Sequence, residues 1–423
     1  MTKPANLAIA QLPERSGHRG RLAQLVEHLV YTERVGGSSP SAPTTISITR
    51  GIIPVDKAAA VRPQGLRRCQ HRRMTTKMIS DLPRIPALLL AVLLVLLAAW
   101  SLSIGPAPAP PVGPAVDYSD VRLYQDMASR IAAGESYYRA ATSLQRAHGF
   151  PTRPFVTVRL PTLVMAAVWL GWGTLRAVLA ALLLLAVVLW YRALAGKVAP
   201  GEQIAAALLV LAGGAMVSNP GLVTQHELWA GILLTIALAL RVRGNLVGAV
   251  LAAGLALAIR ELALPFVLLA GLFALVEWRW RELAAWSVLA GLFALALALH
   301  AQAEMGEALP SDLPSQGWAE HRGPAAPLRD LADVSLLTLL PRPLAWLAAL
   351  LPLYGWLAAP ERLARFAVPL FVGYMALLAL FAREQNFYWA IMLLPAYLAG
   401  LAFLPRLARD LAHALLARRA PAL

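Results

Sequence analysis

The sequence is poor in cysteine and in charged residues. Its single cysteine, Cys69, excludes a disulfide framework, and the chain beyond it has no thiol nucleophile and no cysteine metal site. Charged residues make up 14% of the chain and hydrophobic residues 58%, with a mean hydropathy of +0.60. Soluble globular and disordered chains carry more charge and less apolar surface than this. The composition therefore favours an integral membrane protein.

Apolar stretches long enough to cross a bilayer recur between residues 86 and 404. They predict an all-α polytopic membrane protein with one multi-pass domain over residues 74–423. The tract 160–195 is too long for one span and contains Gly171 and Gly173, so residues 160–171 are expected to form a short helix at the membrane interface. About ten transmembrane helices are predicted, near 86–104, 175–195, 203–218, 226–242, 245–259, 262–278, 283–300, 343–359, 363–382 and 386–404.

The cations of the predicted connections are unevenly divided between the two sides of the membrane. With the N-terminus inside, the inner connections hold Arg192/Lys197, Arg241/Arg243, Arg279/Arg281 and Arg362/Arg365, whereas each outer turn holds at most one cation. This bias predicts an N-in, C-in topology in the bacterial cytoplasmic membrane. Positive-inside bias also explains much of the net charge of +15 better than nucleic-acid binding does.

Residues 1–73 are predicted to lie outside the functional protein. They hold 12 Lys/Arg and 4 Asp/Glu, about half of the net charge. The stretch 21–44, RLAQLVEHLVYTERVGGSSPSAPT, resembles one reading frame of a bacterial transfer-RNA gene, with LAQLVE matching the D-arm and GSSP the T-arm. A start codon assigned too far upstream explains this match, with Met74 or Met78 as the expected first residue. The alternative is a basic, disordered leader.

Two longer segments, 105–157 and 301–342, are predicted to face the outside. In the first, SDVRLYQDMASRIAAGESYY places Val121, Tyr124 and Met127 at helical spacing, which predicts an amphipathic helix ended by Gly134. Most of the unusual polar side chains fall on this outer side: Asp117, Asp120, Arg153, Arg159, His226, Glu227, Arg260, Glu261, Arg383 and Asn386. Such clustering predicts a site at the outer membrane face.

These residue types suit a substrate with a lipid tail, a phosphate and a polar head. Arginine side chains bind phosphate through charge-assisted hydrogen bonds, and a carboxylate can act as a general base. Structural alternatives remain open: Asp120 as a helix N-cap, His226 as a hydrogen-bonded interior histidine, and Arg260 with Glu261 as an ion pair between helices. No cofactor is predicted; a divalent cation held by Asp117 and Asp120 is left open.

The first outer segment resembles that of the glycosyltransferase C superfamily, in particular its bacterial polyprenyl-phosphate-mannose-type branch. The shared pattern is an Asp, a Tyr about four residues on and a Gly-x-x-Tyr turn, here Asp120, Tyr124, Gly134 and Tyr137 or Tyr138. The polar pair after an AGxxLAxA-like helix, AAGLALAIRE, also fits. The usual Tyr-Pro-Pro is replaced by FPTRP at 150–154, which leaves the donor and acceptor types open.

The resemblance implies a membrane glycosyltransferase that moves a sugar from a polyprenyl-phosphate donor to a lipid or glycan acceptor. Asp120 takes the role of the base, with Asp117 as the alternate. We expect Arg153, Arg260 and Arg383 to stabilise the leaving phosphate. Donor binding is further assigned to Arg159, His226, Glu227, Glu261 and Asn386. The alternative function is a multi-pass transporter or lipid flippase, which would place polar groups near the membrane midplane.

Overall fold

The computed structural model describes residues 79–105, 118–318 and 320–416, and these ranges contain helices but no strand. The predictions for residues 1–73, for Met74 and Met78 and for Asp117 lie outside the described residues. The α-helices are α1 Arg84–Ser103, α2 Asp120–Ala132, α3 Tyr137–Ala147, α4 Thr162–Leu170, α5 Trp172–Leu194, α6 Pro200–Gly213, α7 His226–Val242, α8 Leu246–Ile259, α9 Leu264–Val276, α10 Trp280–Met305, α11 Ala326–Asp333, α12 Arg342–Leu357, α13 Glu361–Phe381, α14 Leu394–Tyr397 and α15 Leu404–Leu416. Shorter 3₁₀ turns occupy Phe155–Thr157, Ala215–Ser218, Pro220–Thr224, Glu261–Ala263, Leu336–Leu339, Glu384–Met392 and Leu398–Phe403.

Four helices, α1, α5, α10 and α13, are long and apolar enough to cross a membrane. The bent pair Glu384–Met392 and Leu394–Leu416 makes a fifth candidate if it counts as one span. The other predicted spans form shorter helices: α6 has 14 residues, which rise about 21 Å, less than the thickness of a hydrocarbon core. The described part of the chain is therefore helical, with four to five candidate spans.

The predicted break in the tract 160–195 is confirmed. Helix α4 ends at Leu170, and Gly171 has a φ of +79°, a backbone conformation that favours glycine. Helix α5 then begins at Trp172 and runs for 23 residues. Two separate helices therefore replace one overlong span.

The core of the bundle is built around α7. From His226 to Ala239 every residue of this helix is buried, and it packs against α5 and α8. By contrast, α1 and α10 expose rows of large apolar side chains, such as Leu89 at 64% and Leu292 at 60%. An exposed apolar belt of this kind is unfavourable in water and favourable in lipid.

The chain from Glu384 to Phe403 differs from the single α-helix predicted near 386–404. It consists of two 3₁₀ stretches on either side of one α-helical turn. The segments Glu384–Met392 and Leu394–Leu416 meet at a bend of 57°. Glycines on neighbouring helices let its backbone come close: a Cβ at Gly355 would lie 1.8 Å from the carbonyl oxygen of Gly400, and a Cβ at Gly213 would lie 2.4 Å from that of Leu394. This close tertiary packing is invisible in a hydropathy pattern.

The described part of the first predicted outer segment folds into two helices, α2 and α3, of which α2 is the predicted amphipathic helix. Helix α2 buries Leu123, Met127 and Ala128, and Gly134 has a φ of +98° just after its end. The N-cap residue is Ser119, whose hydroxyl accepts from the backbone N–H of Arg122 at 3.3 Å. The capping alternative for Asp120 is therefore wrong.

The two outer segments are joined to each other. The Arg146 side chain on α3 donates to Asp312 at 2.5 Å, and the backbone N–H of Thr152 donates to the carbonyl of Leu313 at 3.1 Å. Hydrogen bonding from Arg146 lowers the pKa of Asp312 to about 2, so this carboxylate is charged at neutral pH. The second segment is thereby held against the first.

A candidate substrate cavity at one end of the bundle

A cavity of about 500 Å³ opens where the two outer segments meet the ends of the long helices. Its wall comes from α2, from the chain between α3 and α4, from the 3₁₀ turn after α8, from the end of α13 and from the 3₁₀ stretch that follows α13. The lining residues are Asp120, Leu123, Tyr124, Gln145, Phe150, Pro151, Val156, Thr157, Arg159, Glu261, Leu262, Trp318, Leu377, Phe381, Arg383, Gln385, Asn386, Tyr388 and Trp389. The volume suits a small-molecule or headgroup ligand.

Asp120 and Tyr124 present the first turn of α2 to the cavity. Asp120 is the first residue of the helix and is exposed, so its carboxylate is accessible to a ligand. Tyr124 follows one turn later, and its ring packs on the buried His226, with ring centroids 4.7 Å apart. Burial raises the pKa of Tyr124, so its hydroxyl stays neutral and can donate a hydrogen bond. The Asp-to-Tyr spacing places both groups on one face of the helix.

A chain of alternating charges runs from the core to the cavity wall. Arg260 is fully buried; its Nε lies 2.7 Å from Glu227 Oε1, and its Nη1 donates to Glu261. Glu261 in turn lies 3.6 Å from Arg159 Nη1. Glu261 and Arg159 line the cavity, whereas Arg260 and Glu227 lie behind them. Each buried charge thus has an opposite neighbour, as burial requires.

The residues after α13 build another part of the cavity wall. Arg383 Nε donates to the Oδ1 of Asn386 at 3.1 Å, and the amide Nδ2 of Asn386 donates to the Tyr388 hydroxyl at 3.4 Å. Arg159 Nη2 donates to the same hydroxyl at 3.4 Å. Within the described ranges Arg383 makes no ion pair with a carboxylate. Its guanidinium therefore remains available to an anion in the cavity.

Arg153 and His226 are not among the lining residues. The guanidinium of Arg153 donates to the carbonyl of Leu309, which lies in the second outer segment. His226 is buried at the start of α7, beneath Tyr124. Of the ten predicted site residues, five line the cavity (Asp120, Arg159, Glu261, Arg383 and Asn386), and Glu227 and Arg260 form the layer behind them.

The sequence alone did not point to Trp318 or Gln145 as cavity residues. Gln145 lies on the buried face of the amphipathic α3, and its Nε2 donates to the carbonyl of Thr157 at 3.3 Å. Trp318 comes from the second outer segment, which has no helical periodicity around this position. The Gly-x-x-Tyr pattern pointed to Tyr137 or Tyr138, and neither is among the lining residues. The Tyr137 hydroxyl donates to the Arg159 carbonyl at 2.6 Å.

Arg322 ties the second outer segment to the cavity wall. Its guanidinium donates to both oxygens of Asp330 at 2.8 Å and to Glu384 at 2.9 Å, next to Arg383. Burial raises the pKa of Asp330 to about 6, although Arg322 opposes the shift. The contact holds the 3₁₀ stretch that begins at Glu384 in position.

Within the described part of the chain, no group of three or more His, Cys, Asp or Glu side chains is placed to hold a metal ion. No protein-family model matches the sequence, and neither a curated protein nor a solved structure is significantly similar to it. What the cavity does is therefore argued from its residues alone.

Proposed function

We propose that the protein is a membrane glycosyltransferase that moves a sugar from a polyprenyl-phosphate donor to an acceptor hydroxyl. One observation carries the proposal: an exposed carboxylate, two arginines and an apolar wall share a single cavity at one end of a helical bundle. Asp120 supplies the carboxylate, and Arg159 and Arg383 supply the cations. A ligand with a lipid tail, a phosphate and a hydroxylated head uses all three features.

The apolar wall suits the lipid part of the donor. Leu377 and Phe381 lie in the last turns of α13, a candidate membrane span, and both line the cavity. The Phe381 side chain is 49% exposed, so this edge of the cavity is open on the apolar flank of the bundle. A polyprenyl chain in the bilayer can reach the cavity along this edge while its phosphate enters the polar part.

Arg159 and Arg383 are the cations best placed for the phosphate. Both line the cavity and connect to Tyr388, Arg159 directly and Arg383 through Asn386. Guanidinium groups bind phosphate oxygens with two parallel hydrogen bonds. Arg260 contributes indirectly, because its guanidinium is already bound to Glu227 and Glu261. Its part is to hold Glu261, and through Glu261 the side chain of Arg159.

Asp120 acts as the base in the proposed reaction. The acceptor hydroxyl loses its proton to the Asp120 carboxylate as its oxygen bonds to the anomeric carbon of the sugar. The bond between that carbon and the phosphate oxygen breaks, and the lipid phosphate leaves with the electron pair. Arg159 and Arg383 stabilise the charge on the leaving phosphate. Attack from the face opposite the phosphate inverts the configuration.

The proposal includes ten spans with both termini inside and the cavity on the outer side of the bacterial cytoplasmic membrane. The end of the bundle away from the cavity supports it, because the predicted inner cations meet there: Lys197 Nζ donates to the carbonyl of Val242 at 3.2 Å, and Arg241 lies 3.6 Å from Glu282. For a transporter, polar groups are expected midway along the helices. The buried stretch of α7 from Leu228 to Ala239 is apolar apart from Thr235 and the Trp229 indole.

The full chain, purified in detergent and supplied with several polyprenyl-phosphate sugars and an acceptor, tests the function. We expect release of polyprenyl phosphate, and a loss of about 10²–10⁴-fold in rate for Asp120→Asn, the contribution of a positioned base. Asp126→Asn is the matched control, because Asp126 lies on the same helix, bonds Tyr118 and does not line the cavity.

Two outcomes would contradict the proposal. Release by Asp120→Asn at the rate of the unmodified chain would remove the base from Asp120. Movement of intact lipid-phosphate sugar across the bilayer of proteoliposomes, without cleavage, would identify a flippase instead.

A further inference from the structure

The end of the bundle away from the cavity carries many cations, and several of them are neutralised by carboxylates. Helix α7 begins beside the cavity at His226 and runs for 17 residues to Val242, which places the loops next to Val242 at this far end. The ion pairs there are Arg241–Glu282, Arg279–Glu282, Arg365–Glu361, Arg406–Glu202 and Arg409–Glu202. Each of these five arginines thus has a carboxylate partner, Glu202, Glu282 or Glu361.

Lys197, Arg243 and Arg362 form a different arrangement, called here the basic triad. The Lys197 ammonium donates to the carbonyls of Ala193 at 2.9 Å and Val242 at 3.2 Å, next to Arg243 in the chain. The start of α13 packs against the end of α7, because the Arg241 guanidinium lies 4.1 Å from the centroid of the Phe366 ring, one turn after Arg362. Burial, and then the charges of Arg243 and Arg362, lower the pKa of Lys197, in agreement with this packing. All three residues are exposed, and none is ion-paired with a carboxylate in the ranges that the structure describes.

Local backbone geometry brings two of these cations together. Gly196 and Gly244 have φ values of +70° and +76°. Gly196 turns the chain after the end of α5, and Gly244 turns it after the end of α7. Lys197 follows the first glycine, and Arg243 precedes the second. The left-handed turns therefore fold the two loops over the same helix ends.

Arg362 makes the arrangement electrostatically unfavourable without an anion. It lies in the first turn of the 21-residue α13, where the helix dipole is positive and a cation is disfavoured. The acidic residue of that turn, Glu361, is bound to Arg365. Lys197 and Arg243, by contrast, follow the C-terminal ends of α5 and α7, where the helix dipole is negative and favours cations. An anion beside Arg362 would relieve the repulsion among the three cations and interact favourably with the N-terminus of α13.

We infer that the basic triad binds the phosphate of an anionic phospholipid headgroup in the leaflet at this end of the bundle. The site lies at the ends of α5 and α13, two candidate spans, which is the level of the membrane–water interface. Exposed apolar side chains on α5, Leu184, Val188 and Tyr191, offer a surface for acyl chains in the same leaflet. Anionic lipids are drawn to clusters of Lys and Arg beside membrane spans. This inference does not depend on the proposed glycosyl transfer.

The test compares two variants that lose the same charge at the same end. Lys197→Gln/Arg243→Gln/Arg362→Gln removes the triad, and Arg279→Gln/Arg365→Gln/Arg409→Gln removes three cations that are paired with carboxylates. The full chain is titrated in nanodiscs or mixed micelles with phosphatidylglycerol and, separately, phosphatidylcholine, and bound lipid is counted by native mass spectrometry. Each cation near a charged bilayer surface is worth about fivefold, or about 1 kcal/mol.

We therefore expect phosphatidylglycerol to bind the triad variant roughly a hundredfold more weakly, because each of the three lost cations contributes about fivefold. Its affinity for the control variant should change little. Equal loss in both variants, or no loss in the triad variant, overturns the inference. If the triple variant does not fold, Arg362→Gln alone should weaken binding about fivefold by the same reasoning, and unchanged binding overturns the inference equally.

A soluble phosphate compound is the other source of the same chemistry. Inorganic phosphate is therefore titrated against the lipid-free protein. Triad-dependent phosphate binding, together with phosphatidylglycerol binding that the triad does not affect, would assign the site to a soluble anion and overturn the lipid assignment.

Discussion

Replacing Arg260 with methionine removes the centre of the charge network behind the cavity while keeping most of the side-chain volume. The Arg260 side chain is fully buried, between Glu227, whose side chain is 3% exposed, and Glu261, whose side chain is 24% exposed. In Arg260→Met, Glu227 keeps one neutral partner, the Gln225 amide at 2.9 Å, and no cation. Glu261 keeps the ion pair with Arg159 at 3.6 Å and some contact with solvent. The loss of Arg260 therefore destabilises Glu261 less than Glu227.

We expect Arg260→Met to destabilise the fold by about 3–5 kcal/mol, the usual effect of leaving one buried charge without its partner. The double variant Arg260→Met/Glu227→Gln removes both charges and should recover all but about 1–2 kcal/mol of this loss, because a neutral pair of similar volume costs little. The single and the double variant then differ in stability by about 1–4 kcal/mol. Free energies of unfolding, from reversible denaturant titration in mixed micelles, are measured for the unmodified chain and for both variants.

Arg122→Met is the control, because this arginine is 68% exposed and lies 3.8 Å from Asp126 in a solvent-exposed pair. It should change stability by less than about 1 kcal/mol. The reasoning is refuted if Arg260→Met is as stable as the unmodified chain, or if the double variant is no more stable than the single one.

Two further predictions concern the second outer segment. Asp330 has a pKa raised by burial to about 6, above its unfolded value, so its effect on stability is fully present below about pH 4 and is lost as the pH rises through 6. The free energy of unfolding should therefore rise on acidification from pH 7 to pH 4 by up to about 3 kcal/mol more in the unmodified chain than in Asp330→Asn, and equal slopes against pH would show that this carboxyl does not titrate. In a Cys69→Ser background, Ser311→Cys should react with an impermeant maleimide from outside whole cells, and Ala195→Cys at the other end should not; the reverse pattern would invert the proposed topology.

Much of the fold could be predicted because it depends on short-range patterns. Apolar runs placed the long helices to within a few residues, and glycine at position 171 marked the break before α5. The spacing of Val121, Tyr124 and Met127 predicted α2, and the structure brings its first turn beside Glu261 and Arg383. These features follow from helix geometry and from the chemistry of single residues, which a sequence carries in full.

Other features could not be read from local patterns. Hydropathy predicted an α-helix for residues 386–404, but the chain there is largely 3₁₀ and passes close to glycines on α6 and α12. Trp318 lines the cavity because the second outer segment is held against the first. The contact of Arg146 with Asp312, for example, joins residues 166 positions apart. Contacts over such separations leave no periodic signal in either segment.

The AIRE stretch, residues 258–261, separates what the sequence determines from what the tertiary structure determines. The sequence alone established that Arg260 and Glu261 are too costly to face lipid and need partners, because an unpaired charge in an apolar medium is unstable. Only the folded chain decided which partners they have and which of the two meets the cavity. Helix α7 brings Glu227 to Arg260, and the turn after α8 exposes Glu261 to the cavity while burying Arg260. That choice depends on the direction in which each side chain leaves the backbone between packed helices, which is a property of the three-dimensional arrangement.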